Sequence, residues 1–123
     1  MQKLMLDIGH EFKNIDLLKT ALTHSSYANE NKTQSYERLE FLGDAVLSSV
    51  VADFLYNNYK TRDEGYLTNL RSKIVKRETL NVVAKEIGLD KLVNLPIHTT
   101  SHNLNVYGNA FEALIGAIYL DKG

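Results

Sequence analysis

Glu37, Glu40 and Asp44 stand inside the stretch ERLEFLGDAVLSSVV, which is otherwise dominated by apolar residues. Their spacing puts all three acids on one stripe of an α-helix. Leu39, Leu42, Val46 and Val50 fall on roughly the opposite side, the pattern of a core-facing surface. Phe41, Ala45, Leu47 and Val51 fill much of the remaining circumference, so little of this helix is shaped for water. Carboxylates on such a helix are costly unless a cation or hydrogen bonds compensate them. Oxygen-rich side chains sharing one stripe suit a hard divalent metal such as magnesium. The ordinary alternative is a solvated face whose acids pair with lysines. The stripe offers no such partner, because Arg38 points elsewhere and the next basic residue is Lys60.

The same logic returns near the end of the chain. Glu112 is the only acid of NAFEALIGAIYL, surrounded by Phe111, Leu114, Ile115 and Ile118. Asn109 lies one turn earlier on the same face, which Ala113 and Gly116 continue with small side chains. Small residues allow close helix packing, so this face is expected to press against the acid stripe of the earlier helix. The alternative is that Glu112 is a surface acid and Gly116 only a packing notch. Elsewhere, His24 is a possible ligand or base, although its setting between Thr23 and Ser25 favours a hydrogen-bonded structural role. His98 and His102 have no partner at helical ligand spacing. No Ser–His–acid or Cys–His arrangement is visible.

The elements that position these residues read as all-α, with one proline and few glycine clusters leaving little room for a turn-dense sheet. Met1 to Ile8 forms a short helix closed by Gly9. Asn14 caps a second helix from Ile15, with Asp16 in its favourable first turn. His24 to Gln34 is polar and reads as loop, or a short helix then loop. The long acid-bearing helix continues to near Tyr59, and Lys60 to Asp63 form a connection. A further helix begins near Glu64 or Gly65 and carries Leu67, Leu70, Ile74 and Val75 at helical spacing. Thr79 is expected to cap a helix from Leu80 to Ile87 that Gly88 ends. Asp90 to Leu95 adds a turn, Pro96 to Tyr107 is irregular, and the last helix is placed from about Asn109 to Tyr119.

ERLEFLGDAVL resembles the signature of the ribonuclease III family, the endonucleases that cut double-stranded RNA. ALTHSSYA (Ala21 to Ala28), DEGYLTNLRSKIV (Asp63 to Val75) and FEALIGAIYLDKG (Phe111 to Gly123) resemble further family segments in the expected order. The resemblance spans nearly the whole chain, weakening at the first few residues and between about Asn94 and Asn109. It implies a single helical endonuclease domain over residues 1–123, dimeric; the family commonly carries a double-stranded-RNA-binding domain after the nuclease domain, and no segment of this sequence resembles one. The implied activity is magnesium-dependent hydrolysis of double-stranded RNA during RNA processing, including that of ribosomal RNA precursors, with manganese able to substitute. The ends left would be 5′-phosphate and 3′-hydroxyl, with short 3′ overhangs cut by a homodimer.

Residue by residue, the resemblance assigns metal ligation to Glu40, Asp44, Asn109 and Glu112, and catalysis to Asp44 and Glu112. The family usually has aspartate where this chain has Asn109. An amide oxygen still ligates magnesium but brings no charge. The choice lies between a natural variant and an impaired nuclease that keeps only RNA binding. The former is favoured because Val106 to Asn109 departs from the family pattern as a group. Glu37 and Glu64 match family acids close to the metal, which would orient waters or add negative potential. Phe41 is the candidate apolar anchor of the dimer, with plain core as its alternative. Arg71 and Lys73 are the candidate RNA contacts within the basic run Lys60, Arg62, Arg71, Lys73, Lys76 and Arg77.

Composition bounds these expectations. A length of 123 residues suits one domain, with hydrophobic and charged contents of 44% and 24% ordinary for a globular protein. The absence of cysteine removes disulfides, thiolate zinc sites and thiol nucleophiles. No apolar run is long enough to span a bilayer, so no membrane partner is expected and the reading is cytoplasmic. Fourteen basic against fifteen acidic residues give a net charge of −1, a weak field for holding a polyanion. Either the acids gather in one cleft flanked by bases, or RNA affinity resides chiefly in another module.

Overall fold

The structure is a computed structural model and describes residues 2–23, 36–93 and 105–122. All regular elements among them are helical: α1 (Gln2–Ile8), α2 (Ile15–Ala21), α3 (Glu37–Asn58), α4 (Glu64–Val75), α5 (Arg77–Glu86) and α6 (Asn105–Lys122), with a 3-10 turn at Leu89–Lys91. The all-α expectation holds. His24, His98 and His102 lie outside the described residues, as do most of the two polar segments that carry them.

Local signals set several boundaries where they were expected. Gly9 closes α1 with φ of 70°, and Gly88 follows α5 with φ of 83°, both in the left-handed region that glycine adopts without steric penalty. Asn14 caps α2 by accepting the Asp16 N–H at 3.1 Å. Asp63, assigned from sequence only to a connection, caps α4 by accepting the Tyr66 N–H at 2.9 Å.

Two boundaries differ. Helix α5 starts at Arg77 rather than after Thr79, because Lys76 takes an extended conformation (φ −64°, ψ 155°) that separates it from α4. The Thr79 hydroxyl serves the neighbouring helix instead, donating to the Lys73 carbonyl at 3.1 Å. Helix α6 begins at Asn105, four residues ahead of the expected start, and runs on to Lys122. Gly108 and its polar neighbours disguised that first turn. The turn is held from outside, where Asn81 on α5 accepts the Gly108 N–H at 2.7 Å.

The core gathers around α6, whose Ala110, Ala113, Leu114 and Ala117 are buried against Leu18 and Leu22 of the α2 region, Leu39 of α3 and Ala84 of α5. Helix α3 crosses α6 antiparallel and almost backbone to backbone. A methyl at Gly43 would fall on the Glu112 carbonyl, and one at Gly116 on the Leu39 carbonyl. This confirms that the small-residue face of α6 presses on the acid-bearing helix. It also corrects the expected core stripe of α3. Of its four residues only Leu39 is buried, Leu42 and Val46 are half-buried, and Val50 is exposed. The contact follows Leu39 and Gly43, because the glycine admits the α6 backbone and leaves bulkier neighbours at the margins. Phe41 is 82% exposed, which rules out the core alternative for it within one chain.

At its far end α6 is tied to the α1–α2 connection. The Asp121 carboxylate accepts the Lys13 and Asn14 N–H groups, each at 2.9 Å, and contacts His10 Nε2 at 2.9 Å.

Candidate active site

Helix α3 delivers Glu40 and Asp44 from its first two turns, with Glu37 at its first residue. The backbone-to-backbone crossing brings Glu112 of α6 beside them, close enough for Asp44 to act on its carboxyl. Glu112 is the buried acid of the group, its side chain only 3% exposed. Glu40 is half-buried, whereas Glu37 and Asp44 are exposed. The expectation of buried acids on α3 is thereby corrected: the costly charge sits on α6. The open question about Glu112 is also answered, since it is not a surface acid.

Burial and the hydrogen bond to Asp44 push the Glu112 carboxyl up to about 7, against the opposing pull of Arg77. Burial likewise raises Glu40, opposed by Arg77 and reinforced by Glu37 and Asp44. These couplings show that the acids of α3 and α6 share one electrostatic neighbourhood. Tyr36, buried just ahead of α3, hydrogen-bonds Asn109, and burial raises its phenol above the ordinary value. Asn109 thus faces Tyr36 from α6, one turn before Glu112.

Sequence reasoning missed the basic partner. Arg77, the first residue of α5, places Nη1 2.7 Å from Glu112 Oε1. No spacing rule could have found it, because the pairing is made across two helices by the chain's topology. Tyr36 was also missed, its contact with Asn109 being equally remote in sequence.

The other candidates lie elsewhere in the chain. Glu64 lines the cleft between α3 and α4 with Leu55, Tyr59, Arg62, Leu67 and Arg71, at the opposite end of α3 from Asp44. Lys73 is exposed on α4. Phe41 stands out from α3 beside Leu17, Leu42 and Leu120.

The donors of the cluster are carboxylate and amide oxygens with no soft ligand, which fits a hard divalent cation. The crowding of Asp44 on Glu112, which raises the Glu112 carboxyl, fits as well, because a cation relieves it. Among the described residues, no group of three His, Asp or Glu side chains is already drawn together around a metal position. No described helix is long and apolar enough to cross a membrane.

Comparison with known proteins gives the same family from three directions. A Ribonuclease-III-like family model matches residues 14–123. Ribonuclease 3 of Bacteroides fragilis is 53% identical over 119 residues, covering 94% of this chain and 41% of the relative. The chain thus spans about two-fifths of the length of such relatives. The nuclease domain of ribonuclease III from Campylobacter jejuni superposes with a TM-score of 0.92 at 35% identity, covering 99% of this chain and 86% of that one. That structure concerns flexibility in a region involved in dimer formation. Dicer from Pichia stipitis matches with a TM-score of 0.73 at 34% identity, over 92% of this chain and 49% of its own.

Proposed function

The chain belongs to the ribonuclease III family, and on that premise we propose that it is a magnesium-dependent endoribonuclease that cuts double-stranded RNA as a homodimer. The observation that carries this is the close α3–α6 crossing at Gly43 and Gly116, which brings Asp44 and Glu112, from helices far apart in sequence, into one neighbourhood. Glu40, Asp44 and Glu112 would hold the ion through carboxylate oxygens and Asn109 through its amide oxygen. When bound, the ion supplies water activation, polarisation of the scissile phosphate and stabilisation of the leaving 3′ oxygen.

The chain's own residues divide the remaining work. The α3–α6 crossing fixes Asp44 opposite Glu112, so neither acid needs a loop to position it. Tyr36 would orient the Asn109 side chain. Glu37 adds negative potential at the exposed rim, raising the charge felt by Glu40. Within one chain the proposed site is built without Glu64, whose cleft lies at the other end of α3. Arg71 and Lys73 would meet phosphates of the duplex, whose narrow A-form groove hides its base edges. An 82%-exposed Phe41, flanked by Leu17, Leu42 and Leu120, supports dimerisation through this surface.

Incubation of the protein with a duplex RNA across a magnesium series tests the proposal. Magnesium-dependent cleavage that Asp44→Asn reduces by about 10³-fold supports it. Absence of cleavage at every magnesium and manganese level contradicts it. A second reading rests on Asn109 alone: with a neutral residue at this position, the domain binds RNA without cutting it. Restoration of cleavage by Asn109→Asp in an otherwise inactive protein would select that reading.

A further inference from the structure

Arg77 lies where helix stability alone would not put it. A cation in the first turn of a helix opposes the helix dipole, and Arg77 is the first residue of α5. Its side chain nevertheless has a prepared path. A methyl at Gly108 would collide with Arg77 Cδ and crowd Nη1, so the arginine crosses bare backbone on its way to Glu112. Asn81, one turn further along α5, fixes the same crossing by accepting the Gly108 N–H at 2.7 Å. The Arg77 side chain is 35% exposed while that of Glu112 is 3% exposed, so Arg77 is the solvent-facing partner of the pair. Its charge acts on Glu40 as well as on Glu112.

We propose that Arg77 is a resident cation of the acid cluster, occupying Glu112 in competition with the divalent ion and thereby setting how tightly that ion binds. This rests on the metal-site reading given above. One positive charge already neutralises part of a cluster that, with Asn109 in place of an acid, has only three carboxylates at the proposed ligand positions. An incoming dication must displace the guanidinium from Glu112 Oε1 or bind against its repulsion. Removing the charge removes that competitor.

Direct Mn²⁺ binding, read by the electron paramagnetic resonance of the free ion at one alkaline pH, tests this without reference to activity. Wild type, Arg77→Gln and Arg77→Lys are compared, with helical circular dichroism confirming the fold. Arg77→Gln is expected to bind Mn²⁺ about tenfold more tightly than wild type, and Arg77→Lys, which keeps the charge, within about threefold of wild type. Equal affinity in all three, weaker binding by Arg77→Gln, or tightening by Arg77→Lys equal to that of Arg77→Gln each overturns the inference while leaving the metal site intact. If Arg77→Gln does not fold, Arg77→Lys decides alone, because a threefold or greater tightening there contradicts a role for the charge. Failure of every folded form to bind Mn²⁺ at millimolar concentration overturns the metal-site reading and this inference together.

Discussion

Helix α6 carries one acid near its middle, Glu112, and another in its last turn, Asp121, and the two meet opposite surroundings. Asp121 is met by two backbone N–H groups and His10, all at 2.9 Å, and these hydrogen bonds hold its carboxyl below the ordinary value. Glu112 is met by burial and another acid, which push it up to about 7 despite Arg77. Asp121 is a completed contact that ties the helix to the α1–α2 connection. Glu112 is crowded with negative charge that its own neighbours only partly offset. A fold places an acid in such a setting at a cost to stability, and the usual compensation is function.

The largest effect is expected at Glu112. Glu112→Gln is expected to lower duplex-RNA cleavage by about 10³-fold, measured in single-turnover assays, while the protein remains folded. Asp121→Asn should do the reverse, lowering the melting temperature while sparing most of the cleavage rate. Gly43→Ala attacks what brings the acids together. Its methyl collides with the Glu112 carbonyl, and chemical denaturation should show a loss of about 3 kcal/mol or more.

Acidity sharpens the contrast, because the two shifts have opposite signs. Asp121, lowered from 3.8, contributes stability that is present above that value and disappears as pH falls through its folded value. Glu112, raised from 4.5 to about 7, contributes most when protonated and loses that contribution as pH rises across this interval. The full difference corresponds to roughly 3 kcal/mol. With divalent ions chelated, wild type should therefore lose stability relative to Glu112→Gln between about pH 4.5 and 7 and no further above. A flat difference across that range would contradict the account of Glu112. The smallest effect is expected from Asn109→Asp. It adds a charge beside Tyr36 and should tighten Mn²⁺ binding severalfold by calorimetry.

What sequence made legible follows the range of the interactions involved. Gly9, Asn14 and Gly88 act within a turn of themselves, so their local patterns announce the ends of α1, α2 and α5. Thr79 misled because a hydroxyl in a first turn can serve a different helix, here through the Lys73 carbonyl. The start of α6 was hidden because Gly108 weakens a helix locally and is held by Asn81 from α5. In the site, Glu40, Asp44 and Glu112 were visible as acids in apolar surroundings, but which of them is buried was not. That depends on the Gly43–Gly116 crossing, which also leaves Val50, expected on the core stripe, exposed. Arg77 was visible only as one base in a basic run, since its partner lies 35 residues away.

In the proposed site, oxygens from α3 and α6 together hold one cation. Crystals equilibrated with Mn²⁺ and measured at the manganese absorption edge test it most directly. The expected result is an anomalous peak in ligand contact with both Asp44 and Glu112, with Arg77 Nη1 moved off Glu112 Oε1. A peak bound elsewhere, with the Arg77–Glu112 pair still closed at 2.7 Å, would contradict it.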